Sequence, residues 1–352
     1  METSALEFFR RVLETPSPSG YESRLQELVR GYVAPHADRV TTDVHGNLIA
    51  VKNPDAPLRL MLAGHCDQIG LIVQHIDDQG FIYPQAIGGW DPQVLIGQRM
   101  IVWGESGEVP GVIARKPIHL LEEEERKQVP KLHDLWIDIG ATTRAEADKL
   151  VRIGDPVTLE LTFRQVQNNR AVSPAMDDKC GLWVVVEALR RAEKSKLRCA
   201  IYAVSTVQEE VGLRGSKTSA FGIDPQVGIA VDVTHATDCP TIEKKREGDV
   251  ALGKGPVIYR GPNMNPKVVQ GLIRVAEQAE IKFQLGASGR ATPTDANSIQ
   301  VSRAGVATAL VSIPNRYMHS PVEMISLDDI DHAADLLARY AESLDPEADF
   351  TP

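Results

Sequence analysis

No stretch of this sequence approaches the roughly 20 consecutive apolar residues that a membrane-spanning helix requires. The opening residues, Met1 to Glu7, carry neither the basic start nor the apolar core of a secretory signal. Cysteine is scarce. Cys66, Cys180, Cys199 and Cys239 show no C-x-x-C spacing, which excludes a disulfide scaffold and implies a reduced, cytoplasmic setting. An excess of basic residues is also missing: the formal net charge is −10 and the pI near 5.5, which argues against a nucleic-acid partner or an anionic membrane surface. Internal repeats and low-complexity segments are absent. What is present is an ordinary globular composition, 43% hydrophobic and 24% charged. The 352 residues exceed the ~250–300 that one hydrophobic core usually serves, so two domains are expected.

The chain is organised around Ala203-Val204-Ser205-Thr206-Val207-Gln208-Glu209-Glu210-Val211-Gly212, where an apolar run from Ile201 to Val207 ends in two adjacent carboxylates. Such a run is a buried strand that delivers its acidic tip to the carboxyl edge of a sheet. Successive side chains at a strand end point in different directions, so the two glutamates suit different tasks, one on a metal and one on a proton.

Residues 4–33 read as two helices separated by Thr15-Pro16-Ser17-Pro18-Ser19-Gly20, and Ser19 followed by Glu22 is a capping-box pattern. Val40–Thr42 and Leu48–Val51 flank a turn at Asp43–Asn47 and predict a hairpin. The apolar run Leu58–Ala63 enters Gly64-His65-Cys66-Asp67. From about Leu71 to Arg164 short strands (Leu71–Ile76, Phe81–Tyr83, Met100–Trp103, Val109–Ala114, Val157–Leu161) are split by turns at Asp77–Gly80, Gly88-Gly89, Glu105-Ser106-Gly107 and Gly154–Pro156, the texture of a small β-barrel or sandwich. Alternating α/β texture then returns: a helix from Cys180 to about Lys194, strands at Arg198–Val207, Val227–Val231 and Val306–Ile313, and helices at Pro266–Glu280, Asp295–Arg303 and Leu327–Leu344, the last capped by Ser326. The β-rich block is thus inserted into one α/β domain whose flanking halves close a common sheet.

Apolar strands end at His65, Glu209-Glu210, Asp232 and, a few residues on, His319, and a strand-to-helix loop adds Asp177-Asp178. In open α/β sheets ligands bind outside the carboxyl ends of the strands, so these groups can converge. Two histidines with several carboxylates suit a pair of Zn²⁺, Co²⁺ or Mn²⁺ ions. Singly, each has an ordinary explanation: a strand-terminal Asp as a turn former, a lone His as a satisfied structural group. Spacing alone leaves both explanations open.

The motifs Gly64-His65-Cys66-Asp67-Gln68-Ile69-Gly70, Met176-Asp177-Asp178-Lys179-Cys180-Gly181, Val207-Gln208-Glu209-Glu210-Val211-Gly212-Leu213-Arg214-Gly215, Asp232-Val233-Thr234, Thr294-Asp295-Ala296-Asn297 and Arg316-Tyr317-Met318-His319-Ser320 give the chain a resemblance over nearly its whole length. It resembles the tetrahedral (TET) aminopeptidases, a branch of the dinuclear metallopeptidases also labelled glutamyl aminopeptidase or cellulase-M-like. The resemblance implies a mixed-sheet α/β metallopeptidase domain (phosphorylase/hydrolase-like) at residues 1–70 and 165–352, with a small β-barrel dimerisation domain inserted at 71–164. It also implies two divalent metal ions per subunit, Zn²⁺ or Co²⁺ before Mn²⁺. Asp177 is expected to bridge them, His65 and Asp232 to complete one ion, Glu210 and His319 the other. Glu209 is the expected general base on a metal-bridging water, Asp67 the partner that orients His65, and the Asp177–Asp178 peptide is expected to be cis. Short peptides are the implied substrates, and dimers assembling toward a tetrahedral dodecamer the implied homo-oligomer. Cys66 reads as a packed side chain, and His75, His119, His133, His235 and His332 as surface or structural groups. Asp295 is either a helix cap or part of the substrate side of the cleft. Competing possibilities are a carboxypeptidase or deacylase on a related dinuclear scaffold, a metal-independent glycosidase, and a non-catalytic assembly protein.

Overall fold

The computed structural model describes residues 1–105 and 107–352; Ser106, in the middle of the turn expected at Glu105–Gly107, lies outside the described residues. In chain order the strands are β1 (Arg39–Thr42), β2 (Leu48–Lys52), β3 (Leu58–His65), β4 (Gly70–Ile76), β5 (Ile82–Ile87), β6 (Arg99–Gly104), β7 (Gly107–Ala114), β8 (Trp136–Asp138) and β9 (Pro156–Leu159). They continue with β10 (Arg164–Val166), β11 (Arg170–Val172), β12 (Cys199–Thr206), β13 (Val227–His235), β14 (Val257–Arg260), β15 (Gln284–Ala287), β16 (Ala307–Asn315) and β17 (Met324–Ser326).

Strands β4 to β9 close into a six-stranded barrel in which every neighbouring pair is antiparallel. It has its own core around Leu71, Val73, Ile82, Val102, Ile137 and Val157. The remaining long strands form an eight-stranded mixed sheet in the order β1-β2-β12-β3-β13-β16-β14-β15, to which both flanks of the barrel contribute. Its middle is parallel: β12, β3, β13 and β16 run together, with His65 level with Thr206 and Asp232 level with Ser312. Their carboxyl ends therefore lie along one edge.

Alternation along β3 shows how the sheet is sandwiched. Leu60 and Leu62 join the large core on one face with Trp183, Phe9 and Leu337. Met61 and Ala63 face the other side, against Ala220 and Ile299. The first face is covered by the helix Met176–Arg191, whose fully buried Trp183 donates from Nε1 to the Ala5 carbonyl at 2.9 Å. The second is covered by the helices Arg214–Ile223 and Asp295–Gln300. A helix buried along this much of its length reads as apolar all round, and Gly181 to Val186 does so, while the buried Glu187 is paired with Arg190 and Arg191.

Several local expectations change. Ser19 and Glu22 form no capping box: the helix starts at Ser23 without a side-chain cap, and both side chains are committed elsewhere. Ser326 stands at the start of the last helix, Leu327–Ser343, but its hydroxyl makes no cap bond. Strand β13 continues through Asp232 to His235, so Asp232 sits within the strand and not at its tip. Strand β8 is three residues long, too short for periodicity to reveal, and exists because β5 and β7 supply its partners. Among the described residues no helix is long and apolar enough to cross a membrane.

Candidate metal centre

The parallel strands bring His65, Glu209, Glu210, Asp232 and His319 to one end of the sheet, and the start of the helix Met176–Arg191 adds Asp177 and Asp178. That helix begins irregularly: Ala175 has φ 62°, the Asp177–Asp178 peptide is cis, and neither aspartate has helical dihedrals. The irregular turn aims both carboxylates at the sheet edge instead of along a helix surface.

Asp177 is the pivot. Its Oδ1 lies 3.1 Å from His65 Nε2 and its Oδ2 lies 3.3 Å from His319 Nε2. Glu210 Oε1 stands 3.4 Å from the same His319 nitrogen, and Glu209 Oε2 is 3.8 Å from His65 Nε2. Both imidazoles are oriented through their other nitrogen by a backbone carbonyl, His65 Nδ1 to Asp67 at 3.0 Å and His319 Nδ1 to Gly89 at 2.8 Å. Gly89 follows β5, so the barrel segment reaches the centre directly.

Asp67 departs from its expected part. Its carboxylate is 3.6 Å from His65 Nδ1, beyond hydrogen-bond reach, and it is the carbonyl of the same residue that holds the ring. The carboxylate instead accepts the backbone N–H groups of Glu209 at 2.9 Å and Glu210 at 3.2 Å. Asp295 neither caps its helix nor faces open cleft: it is buried, and Oδ2 accepts the Thr206 hydroxyl at 2.6 Å. Cys66 is fully buried, as its packed reading requires, and His235 is exposed, as expected, where it lines the cleft.

Two donor sets could each hold a metal ion, His65 with Asp177 and Glu210, and His65 with Asp178 and Asp232. Asp178 was not among the expected ligands; its Oδ1 accepts from Gly181 N at 3.1 Å while Oδ2 has no partner. Glu210 Oε1 is likewise buried without a hydrogen bond. Orphaned buried oxygens of this kind are costly in a protein interior, and coordination to a cation would satisfy them.

The electrostatics agree. Burial pushes the Glu209 carboxyl up to about 10, with His65 pulling against it. Burial likewise drives Asp178 and Asp232 well up, Asp232 adding to the effect on Asp178. Burial opposes a charge on His65, yet Glu209, Asp177 and Asp67 outweigh it and leave the imidazole well above its ordinary range. The close Asp177 and Glu210 carboxylates raise His319 to about 11. Burial leads the shifts of the carboxyl groups, and the crowding of Asp177, Asp178, Glu209, Glu210 and Asp232 around two imidazoles adds to them. The donor chemistry therefore fits divalent cations.

Glu323, which motif matching missed, sits beneath the centre. Nothing local marks it, since Ser320-Pro321-Val322 separates it from His319 without a recognisable pattern. It is buried and pushed up to about 8 by burial and by Asp177. The centre opens into a cleft of about 580 Å³ lined by Thr234, Tyr259, Thr292, Leu310, Ser312 and Met318.

Comparison with known proteins places this arrangement among peptidases. The family model for M42 glutamyl aminopeptidases matches residues 46–336. A lysyl aminopeptidase from Pyrococcus furiosus is 41% identical over 98% of this chain and 99% of its own length. The TET aminopeptidase of the marine sediment archaeon Thaumarchaeota archaeon SCGC AB-539-E09 is 37% identical, superposes with a TM-score of 0.92, and is matched over 97% of both chains. The TET1 peptidase of Pyrococcus horikoshii, which can assemble into a tetrahedron or a large octahedral shell, gives 32% identity and a TM-score of 0.86, over 97% of this chain and 100% of that one.

Proposed function

Because the chain belongs to the M42 glutamyl aminopeptidase family, we propose that it is a metal-dependent aminopeptidase in which Asp177 bridges two divalent ions. His65 and Asp232 would help to hold one ion and Glu210 and His319 the other. The observation that carries this assignment is the divided Asp177 carboxylate, with one oxygen toward His65 and the other toward His319. Zinc or cobalt, and after them manganese, suit such a mixed set of nitrogen and oxygen donors.

Divalent ions held there would supply Lewis-acid chemistry, acidifying a water molecule and polarising the scissile carbonyl. Glu209 moves the proton. Its carboxylate takes one from the attacking water and returns it to the departing amine as the C–O bond forms and the C–N bond breaks. The products are a free amino acid and a peptide shortened by one residue. Glu209 is suited to this because it lines the cleft and lies outside both donor sets. Asp177, Glu210 and Asp232 would hold the ions, and a coordinated carboxylate is a poor proton carrier. The family match favours neither a carboxypeptidase or deacylase nor a glycosidase.

The test is a panel of aminoacyl-p-nitroanilides assayed before chelation, after it, and with Zn²⁺, Co²⁺ or Mn²⁺ restored. Turnover that disappears on chelation and returns with metal supports the proposal, and turnover indifferent to chelation overturns it. The same panel identifies the preferred N-terminal residue.

The barrel region, 71–164, is assigned the dimerisation role within a discontinuous domain of 1–70 and 165–352, and the assembly is dimers built toward a tetrahedral dodecamer. The solved relative that forms a tetrahedron supports this, and sedimentation velocity distinguishes dimer from dodecamer. The free state of all four cysteines accords with a reduced, cytoplasmic setting.

A further inference from the structure

We propose that Ser19 and Glu22, from the loop between the first two helices, are positioning residues that hold the main chain carrying Glu209. The inference rests on the proposal that Glu209 is the base.

Past the end of β12 the chain turns sharply, and Gln208 takes a left-handed φ of 55°. The Val207 N–H donates to Asn47 Oδ1 at 3.1 Å, and the next three successive N–H groups all donate to buried carboxylates. Gln208 N donates to Glu22 Oε1 at 3.2 Å, Glu209 N to Asp67 Oδ1 at 2.9 Å, and Glu210 N to Asp67 Oδ2 at 3.2 Å. Asp67 is itself held in place, because the Ser19 hydroxyl donates to Oδ2 at 2.6 Å. Glu22 Oε1 also accepts from Gly20 N at 2.7 Å, which ties the loop to its own carboxylate.

The loop is stitched to the His65 segment as well. Ser17 Oγ donates to the Cys66 carbonyl at 2.7 Å, Gln68 N to the Ser17 carbonyl at 3.0 Å, and Ser19 N to the Gln68 carbonyl at 3.3 Å. Ser19, Glu22 and Asp67 are all buried. One helix turn further, Gln26 Nε2 donates to the Ser205 carbonyl at 3.0 Å, so the same element grips β12 just before its end. Burying two carboxylates is costly. Here that cost secures a fixed direction for a turn that left-handed geometry alone leaves pliable. A proton carrier misplaced by about 1 Å can lose ~10²-fold in rate, so a clamp on its backbone bears on turnover without touching substrate.

The experiment compares Glu22→Ala, Glu22→Gln and Ser19→Ala in the full-length, metal-loaded protein. Glu22→Ala removes the acceptor for Gln208 N, whereas Glu22→Gln keeps an oxygen at Oε1. The expected result is a fall in kcat of about tenfold for Glu22→Ala, within the ~10²-fold that a misplaced group costs, with KM and metal content near wild type. Glu22→Gln is expected to recover most of the loss. Faster amide exchange at residues 208–210 should accompany the fall in Glu22→Ala. If Glu22→Ala does not fold, Ser19→Ala carries the same expectation at smaller amplitude, with Ser19→Thr as its rescue. The decisive comparison is in a Glu209→Gln background, where Glu22→Ala should cause no further loss, because residues acting through one group are not additive. Unchanged kcat in a folded variant overturns the inference, as does a loss of kcat in step with metal content. The two proposals separate cleanly: a fully active Glu209→Gln removes the base assignment, while an inactive Glu209→Gln beside a fully active Glu22→Ala removes only this inference.

Discussion

Glu323 Oε2 accepts the backbone N–H of Asp177 at 2.8 Å. Its other oxygen, Oε1, accepts the backbone N–H of His319 at 3.0 Å, and Oε2 also takes Asn315 Nδ2 at 3.1 Å. One buried carboxylate thus sets the spacing between two proposed ligands that lie 142 residues apart (319 minus 177) in the chain. Glu323→Ala is expected to weaken metal binding by roughly 10–100-fold, the usual consequence of losing a group that supports a ligand. Glu323→Gln should weaken it less, since one oxygen remains. Competition with a chromogenic chelator measures both, and wild-type affinity in the alanine variant would show that the spacing is set elsewhere.

Glu209 and its neighbour Glu210 should respond in opposite ways. Glu209→Gln is expected to keep its metal complement while kcat drops by ~10²–10⁴, the typical contribution of proton transfer. Glu210→Gln and His319→Ala should instead lower the metal content of the purified protein. Elemental analysis beside steady-state kinetics reads both outcomes. Near-normal turnover by Glu209→Gln would end its assignment as base.

Gly64→Ala tests why a glycine precedes His65. A methyl group there would meet the backbone of the next layer, Gly181 C at 2.5 Å and Gly181 O and Leu182 N at 2.6 Å. Backbone cannot rotate away as a side-chain tip can, so β3 and the helix Met176–Arg191 must separate. Overpacking of this sort costs about 1–3 kcal/mol. Because His65 is adjacent to Gly64 and Asp177 begins that helix, metal content should fall together with stability. Denaturant unfolding of the variant with and without added metal checks both.

Asp329 provides a pH test away from the metal centre. Its carboxylate accepts Gly253 N at 2.8 Å and Gly255 N at 2.7 Å, yet burial pushes it up to about 6. Between its unfolded value and about 6, the folded state binds the proton more tightly than the unfolded state. Stability from this group is therefore fully present below the unfolded value and is lost as pH rises through 6. The stability difference between wild type and Asp329→Asn should slope across that window and flatten above it. A difference that does not vary with pH from 4 to 7, measured by denaturant titration, would contradict the shift.

Local chemistry was legible in the sequence because periodicity and turn residues act over a few positions. Leu58–Ala63 and Arg198–Val207 were recognisable as buried strands, Asp43–Asn47 as a hairpin turn, and the closely spaced strands after Leu71 as a barrel or sandwich. Motif order singled out His65, Asp177, Glu209, Glu210, Asp232 and His319, and the folded chain brings these six together.

The supporting contacts were not legible, since each joins groups distant in sequence. Ser19 and Glu22 match a local capping pattern, but the groups they reach, Asp67 and Gln208, lie 48 and 186 residues away. Glu323 gains its meaning only when β16 and β17 bring it under Asp177. Gly89 bonds His319 across 230 residues, and only the placement of the barrel makes that possible. Periodicity and turn residues suffice to mark most of the elements and the chemistry-bearing groups near their ends. Which backbone N–H and carbonyl groups hold those ends still depends on packing, because a buried polar group takes whichever partner the folded chain brings within reach.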